Sequence, residues 1–511
     1  MILSQLLDRV GDYNPQLLRE LKGRLIPRNI YLVIGFSLIL QALILIIAQQ
    51  PQGTHWTGVF QTLHHLIPLI LLPGCIYALS TDLIKEEQRG TLDFIRLTPQ
   101  PSSNILMGKI LGVSALVLLG CLSLIPLHFL AGIYADIQGT WLIGIYLFWG
   151  LSVALFSTIA IGMIQNAAVA QQLIHKQNIL NGTAAFSGLA SFFIASGYCA
   201  FFNLFLGIYQ EDFILFKWFF LPVGGNFTLG YLWLMTTIAG LTYGCWVGIN
   251  RRFRNTNHSL YTKAQSYIAM AALQLWFVGF FFPVDANANF SNSPQVIGLF
   301  WVSFACPLLL LLVNQAITPS RQYLLEWARY RQLKELWPDL LWAEKSPTVI
   351  ALGINIAIVI GVWSLWLLAL PWNFFDGNQQ TVTFGLAWFI CLLTMVSVWI
   401  YGVISQWLLM SIKPQHGIKV PIETQATFTT IMVMGIPTIV ALVTKVPLFW
   451  AFTPFPALML ISGSKPMALV LLGLQLILGI LTFKGFNQCL KRLGQSETKD
   501  LLTSSNLTRF N

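Results

Sequence analysis

Charge is what this sequence has least of. Of its 511 residues only 9% are Asp, Glu, Lys or Arg, while 56% are hydrophobic; an ordinary soluble domain carries about 25% charged residues. That scarcity excludes a soluble globular protein. Seven cysteines (75, 121, 199, 245, 306, 391 and 489) form no C-x-x-C pair, and six of them lie in apolar stretches. A zinc site and a disulfide framework are therefore excluded, and the thiols read as packing residues. The sequence also lacks a G-x-x-x-x-G-K-[ST] loop to cradle phosphate: Gly108-Lys109 is followed by Ile110 and has no upstream glycine at the required spacing. It has no H-E-x-x-H, no G-x-S-x-G and no paired carboxylates inside an apolar stretch, so no hydrolase or transferase chemistry of those kinds is expected. A net charge of +10 raises the question of nucleic acid, but no basic run is long enough for a nucleic-acid arm, and no such partner is expected.

The few charges present fall in short clusters between apolar stretches of a length that spans a bilayer as a helix. The fold class expected is an all-α polytopic membrane protein. Spans are read near 29–48, 57–80, 108–131, 141–164, 180–207, 227–249, 266–283, 296–315, 348–370, 381–411, 428–446 and 466–484, about twelve helices in two six-helix units. An even count puts both termini on one side. With this map 26 Lys and Arg fall on the side of the termini and three (Lys217, Lys445, Lys465) on the other, and because basic loops stay inside, both ends are expected to be cytoplasmic. The net charge is thus a polarity across the membrane: of 19 acidic residues, five (Asp136, Glu211, Asp212, Asp285, Asp376) fall outside.

The outward connections are all short, which leaves no external domain to capture a substrate. No Asp, Glu, Lys or Arg lies near the middle of a span. Ion-coupled carriers usually need such groups although each costs at least ~2.5 kcal/mol there, so ion coupling is disfavoured. His64, His65 and His128 fall in or near spans and read as polar residues at helix ends or facing other helices.

Two polar stretches carry more information. In the first, Asn14 precedes Pro15 as an N-cap before a Pro at the first helical position. Leu17, Leu18, Leu21 and Leu25 then share one face, with Arg19, Glu20 and Lys22 on the other, as in a helix lying along the membrane interface. The second runs from Thr81 to Lys109 between the second and third spans. Gly90 breaks its charged segment, Thr91 is placed to cap a new short helix, and Pro99 closes it within about two turns. Leu92, Ile95 and Phe94 are expected as exposed apolar side chains on that helix, which makes it a docking surface.

Together these stretches resemble the transmembrane subunits of type-2 ABC exporters (ABC transporter permeases). That family has an E-x-x-x-G-T-L stretch followed by a Pro and a G-K in its first cytoplasmic loop, matched here by Glu86, Gly90, Thr91, Leu92, Pro99, Gly108 and Lys109. Residues 1–28, with Asn14, Pro15, Leu17, Leu18 and Leu21, resemble its elbow helix. Arg251-Arg252-Phe253-Arg254-Asn255 resembles the basic exit that ends its six-span unit. The resemblance covers residues 1 to about 255. It implies that loop 81–108 holds a coupling helix on a separate nucleotide-binding ATPase subunit, with Glu86, Gly90, Thr91, Leu92, Ile95, Arg96, Leu97 and Pro99 as the coupling residues.

Residues 256–484 repeat the layout as a parallel unit, with loop 316–347 in the place of a second coupling loop and a tail at 485–511. Leu324, Leu325, Ala328 and Leu333 have helical spacing there. This half has neither an E-x-x-x-G-T-L stretch nor an Asn-Pro elbow. Either one chain supplies both transmembrane halves, or the chain pairs with itself or a second permease through its first half. The expected function is the permease of an ATP-driven exporter, not itself an enzyme and binding no cofactor, with ATP and Mg in the partner subunit and the lipid bilayer around it. The alternatives are a twelve-span carrier driven by an ion gradient and a membrane scaffold that transports nothing. An inner or plasma membrane is the default location.

Overall fold

Hydrocarbon offers no partner to a backbone N–H or C=O, so a spanning chain satisfies its backbone within helices or a closed barrel, and apolar runs as long as these fit helices. The structure, a computed structural model, describes residues 10–51, 53–172, 185, 187–199, 217–223, 227–255, 258–282, 294–330, 336–369, 373–375, 381–412, 422–444, 446–456 and 467–495. Among them eleven helices are long and apolar enough to cross a bilayer. The only strands among the described residues form two short antiparallel pairs, Gln49–Gln50 with Gly53–Thr54 and Asn373–Phe375 with Thr381–Thr383. The protein is a multi-pass helical integral membrane protein. Of the expected fifth span, 180–207, residues 187–199 are helical and most of the rest lies outside the described residues.

Packing divides the chain into two compact units, one of residues up to 215 with 223–256, the other of 216–222 with everything from 257 on. The first begins with α1 (Pro15–Arg24), α2 (Pro27–Ile47) and α3 (Trp56–Gln88). It continues through α4 (Thr91–Leu97), α5 (Ser102–Val113), α6 (Ala115–Tyr134), α7 (Gly139–Gln172) and α8 (Phe227–Arg254). One core joins Val59, Leu63 and Ile67 of α3 to Cys121 and Leu124 of α6 and Leu142 and Trp149 of α7. A second core gathers Leu83, Ile84, Leu92, Ile95, Ile105, Ile161, Ile249 and Phe253, so that the short α4 is packed on α3, α5, α7 and α8. Helix α2 is apolar all round, yet only Ser37 and Ile44 are buried, the pattern of a helix that meets lipid on most of its surface.

Two boundaries beside the loop at 81–108 differ from the expectation. Helix α3 does not stop near residue 80 but runs to Gln88, because Lys85, Glu86 and Glu87 continue it as good helix formers until Gly90 takes a left-handed conformation at φ +68°. The third span does not begin at Gly108. Helix α5 occupies 102–113, and the spanning helix α6 starts anew at Ala115.

The second unit comprises α9 (Lys263–Phe281), α10 (Pro294–Phe300), α11 (Cys306–Ile317), α12 (Arg321–Tyr330) and α13 (Leu336–Trp342). It ends with α14 (Val349–Ala369), α15 (Phe384–Ser411), α16 (Ile422–Thr444) and α17 (Met467–Gly494). A π-helical turn at Trp301–Ala305 joins α10 to α11. It sits just before Pro307, whose missing N–H removes a hydrogen bond from the ladder. Thr262 starts α9 with a reciprocal cap: its hydroxyl accepts from Gln265 N, and Gln265 Oε1 accepts from Thr262 N. Met270, Val302, Leu352, Trp363, Trp366, Leu393 and Val398 belong to its main core.

Candidate functional site

The residues singled out by sequence converge at one end of the first unit. Asn14 Oδ1 accepts from Leu17 N at 3.0 Å and its Nδ2 donates to Asn104 O at 2.7 Å, so the cap of α1 is also its tether to α5. Pro15 follows as the first helical residue. The leucines 17, 18 and 21 are half-buried, while the fully buried positions of α1 are Gln16 and Glu20. The side of α1 turned into the protein is therefore polar.

Small residues on α5 make that contact possible. A Cβ at Gly108 would stand 2.8 Å from Leu17 N and 3.0 Å from Gln16 Cβ, and one at Gly112 would stand 2.4 Å from Glu20 Cβ. Both glycines lie on one face of α5 at a spacing of four, which lets the two helices approach to backbone contact. Between them Lys109 reaches into the contact and is 1% exposed. Its Nζ lies 2.6 Å from Glu20 Oε1, 2.7 Å from Asp82 Oδ2 and 2.6 Å from Glu86 Oε1. Arg24 pairs with Glu20 and Asp82, and Arg19 lies 2.8 Å from Glu86 and 3.0 Å from Glu20.

Three cations thus meet three carboxylates. A buried ammonium alone would cost several kcal/mol, and only close partners with good geometry repay that. Burial pushes the pKa of Glu20 up, but the hydrogen bond and charge of Lys109, helped by Arg19 and Arg24, outweigh it, and the carboxyl is held below its ordinary 4.5. Glu20, Asp82 and Glu86 each place an oxygen within 4.8 Å of the others, close enough to share a metal ion. The Lys109 ammonium already stands where the cation would, so the cluster is an ion-pair clasp joining α1, α3 and α5.

Beyond the clasp, α4 folds back against its neighbours. Gly90 supplies the left-handed turn and is its N-cap; Thr91, expected as the cap, is instead the first helical residue, and its hydroxyl donates to Glu86 O at 3.2 Å. The expectation that Leu92 and Ile95 are exposed is also corrected, since they are 5% and 6% accessible and sit in the core. Phe94 and Leu97 are the exposed pair, at 76% and 83%. The reason is a register the sequence leaves open: a two-turn helix has two apolar pairs at i, i+3, and which pair turns inward depends on where Gly90 aims the chain.

The helix is pinned at both ends. Arg96 lies 3.3 Å from Glu87 and 2.8 Å from Asp93 and stands over the Phe253 ring. Past Pro99, which is exposed, Arg254 donates to the carbonyls of Thr98 and Gln100, and Ser102 Oγ donates to Asn250 Oδ1 at 2.6 Å. The basic exit of α8 is thus the strap that holds the loop.

Sequence reasoning missed Asp82, Arg24, Asn104, Gly112 and Asn250. A signal existed for most of them: Glu20 and Arg24, Asp82 and Glu86, and Gly108 and Gly112 are all spaced i, i+4, and each pair faces the same junction. Also unforeseen is a ring cluster inside the first unit, where His64 Nε2 is 2.9 Å from the Tyr198 hydroxyl and His128 Nδ1 2.8 Å from that of Tyr146, with Trp149 against both imidazoles.

The loop of the second unit is built differently. Helix α12 buries Leu324, Trp327 and Ala328 in a small core with α15, α16 and α17, while Leu333 lies outside the described residues. No elbow clasp faces it among the described residues. The buried Lys263 donates to neutral oxygens, Leu340 O at 2.8 Å, Ser346 Oγ at 2.6 Å and Pro347 O at 3.2 Å. Lys345 of this loop pairs with Glu326 of α12 at 2.8 Å in a solvent-exposed position, and His258 Nδ1 lies 2.9 Å from Glu344. No protein-family model matches the chain, and comparison with curated proteins and with solved structures finds no match either.

Proposed function

We propose that this chain is the membrane-embedded permease of an ATP-driven exporter, with α4 as the lever on which a separate nucleotide-binding ATPase subunit acts. The observation that carries the reading is the exposed pair Phe94 and Leu97 on a helix whose opposite face is core and whose ends are strapped by Arg96 and Arg254. Large apolar side chains at such exposure are stabilised when a protein surface covers them. A rigidly seated helix passes a push to α3 and α5 instead of absorbing it, which is the requirement for switching packed spans between two arrangements. The sequence has no phosphate loop of its own, which supports a reading in which the partner holds ATP and Mg. Helix α12 is assigned no equal role, because it turns Leu324 and Trp327 into its own core.

Co-purification and vesicle flux test this together. With Phe94→Asp and Leu97→Asp combined, the chain should insert normally, lose its soluble ATPase partner and lose ATP-dependent export. Retention of the partner by that variant would overturn the lever assignment. Flux that survives ATP depletion and collapses with an ionophore would instead assign the chain to the ion-driven carriers, and no flux under either condition to a scaffold.

A further inference from the structure

We propose that α13 lies in the headgroup layer of the bilayer with Trp337 and Trp342 seated among the lipids, so that the long loop of the second unit is a membrane mooring and not a second docking surface for a soluble subunit. The depth follows from how the helix is held. Leu340 O accepts from Lys263 Nζ at 2.8 Å, and Leu341 O accepts from the Tyr267 hydroxyl at 2.9 Å. Lys263 is the first residue of α9, and Tyr267 lies about 6 Å farther along its axis. Helix α9 is one of those long and apolar enough to cross a bilayer, and so is α14, which the chain enters at Val349 soon after α13 ends. Helix α13 is therefore level with the ends of two spans. The polar layer there is about 5–8 Å deep on each side of the hydrocarbon.

The face that α13 shows names the occupant. Leu336 and Leu340 pack on the small core of α12, and Asp339 Oδ2 accepts from Trp327 Nε1 at 3.3 Å. At 3.6 residues per turn the opposite side carries Trp337, Pro338, Leu341 and Trp342. Trp337 and Trp342 are 65% and 58% exposed, and the Trp342 ring stands edge-on to Tyr267, one turn inside the span. That side bears no charged or amide group, so water is a poor solvent for it. An indole, with an apolar body and a single N–H, is the side chain that the bilayer interface favours. A soluble partner would have to enter the headgroup layer to reach Trp342. Electrostatic adsorption is not the source of the seating. Residues 318–348 hold five basic and four acidic side chains, and anionic lipid adds only about 1 kcal/mol per basic residue near the surface. The seat is aromatic, and a neutral lipid satisfies it. This inference goes beyond the export reading and uses no residue of α4 or of the clasp.

The test uses the unaltered full chain in phosphatidylcholine nanodiscs with no other protein present. Hydroxyl-radical oxidation of Trp337 and Trp342 should be slowed severalfold relative to the same residues in the denatured chain, more than their 65% and 58% exposure allows. A phosphatidylcholine bearing a diazirine near the carboxyl end of its acyl chain should cross-link to α13 more strongly than one bearing it at the chain terminus, and added salt should change neither result. Oxidation in proportion to the exposure would overturn the proposal and assign the face to water or a soluble partner. Protection without lipid cross-links would overturn it in favour of a second copy of the chain, and cross-links mainly from the chain-terminal probe would overturn the headgroup depth. Trp337→Asp combined with Trp342→Asp should lose the cross-links on α13 and keep those on α9 and α14, which report insertion. Cross-links kept on α13 in that variant would also overturn the aromatic seat.

Discussion

Lys109 of α5 and Glu20 of α1 face each other at 2.6 Å, 89 residues apart in sequence, in a contact closed on either side by Gly108 and Gly112. The pair is the centre of a neutral six-residue cluster that holds the interfacial helix to the rest of the first unit. Its removal has consequences that can be measured.

Replacing Lys109 by Met leaves Glu20, Asp82 and Glu86 facing one another at a buried junction. Breaking a buried ion pair by removing one partner costs about 3–5 kcal/mol, so the melting temperature of the detergent-solubilised protein should fall clearly. Lys109→Arg, which keeps the charge, should recover part of the loss. A melting temperature equal to that of the unaltered protein in Lys109→Met would show that the cluster is not holding the fold.

Close helix approach predicts a steric effect separable from charge. Gly112→Leu places its Cβ 2.4 Å from Glu20 Cβ, so α1 must move off α5, whereas a Cβ at Gly23 meets nothing within 4 Å among the described residues. With cysteines introduced at Asn14 and Asn104 in a background without native thiols, disulfide trapping of the elbow should drop sharply in the first variant and persist in the second.

The depressed pKa of Glu20 sets the pH at which the clasp weakens. Its contribution is fully present above pH 4.5, where an unpaired glutamate is already ionised, and is lost as the pH falls through the lower value of the folded protein. Spin labels at the exposed positions Lys22 and Met107 should report one distance from neutral pH down to 4.5 and a broadened distribution below it. The difference between this profile and that of Glu20→Gln isolates the one carboxyl, since Asp82, Glu86, Arg19, Arg24 and Lys109 remain in both.

The two faces of α4 should answer oppositely to substitution. Leu92→Asp puts an unpaired charge into the core of Leu83, Ile105 and Phe253 and should make residues 89–101 a protease-sensitive segment. Truncation by Leu92→Ala should cost about 2–5 kcal/mol. Phe94→Asp at an exposed position should leave both proteolysis and melting near those of the unaltered protein, within about 0.5 kcal/mol. Equal protease sensitivity in Leu92→Asp and Phe94→Asp would contradict the observed register.

Several features are legible in the residues alone. Asn14 and Pro15 announce the start of α1, Gly90 the turn into α4, and the apolar stretches the spans, because caps, left-handed turns and bilayer thickness act over a few neighbouring residues. Leu92 and Ile95, expected at the surface and found in the core, differ for the opposite reason. Burial of one pair in place of another depends on α7 and α8 arriving from far along the chain, and a helix of seven residues is too short for its periodicity to declare a face. The partners of Lys109 are equally out of reach, since charge-rich loops look alike until the helices that bear them are brought side by side.

By itself the sequence determined that this protein is helical and crosses a membrane many times, because its apolar runs have the length at which a helix satisfies its own backbone across the hydrocarbon. Only the tertiary structure decided how its few charges are used. Six of them close into a neutral clasp where α1, α3 and α5 meet, and that meeting depends on two glycines that let one backbone lie against another.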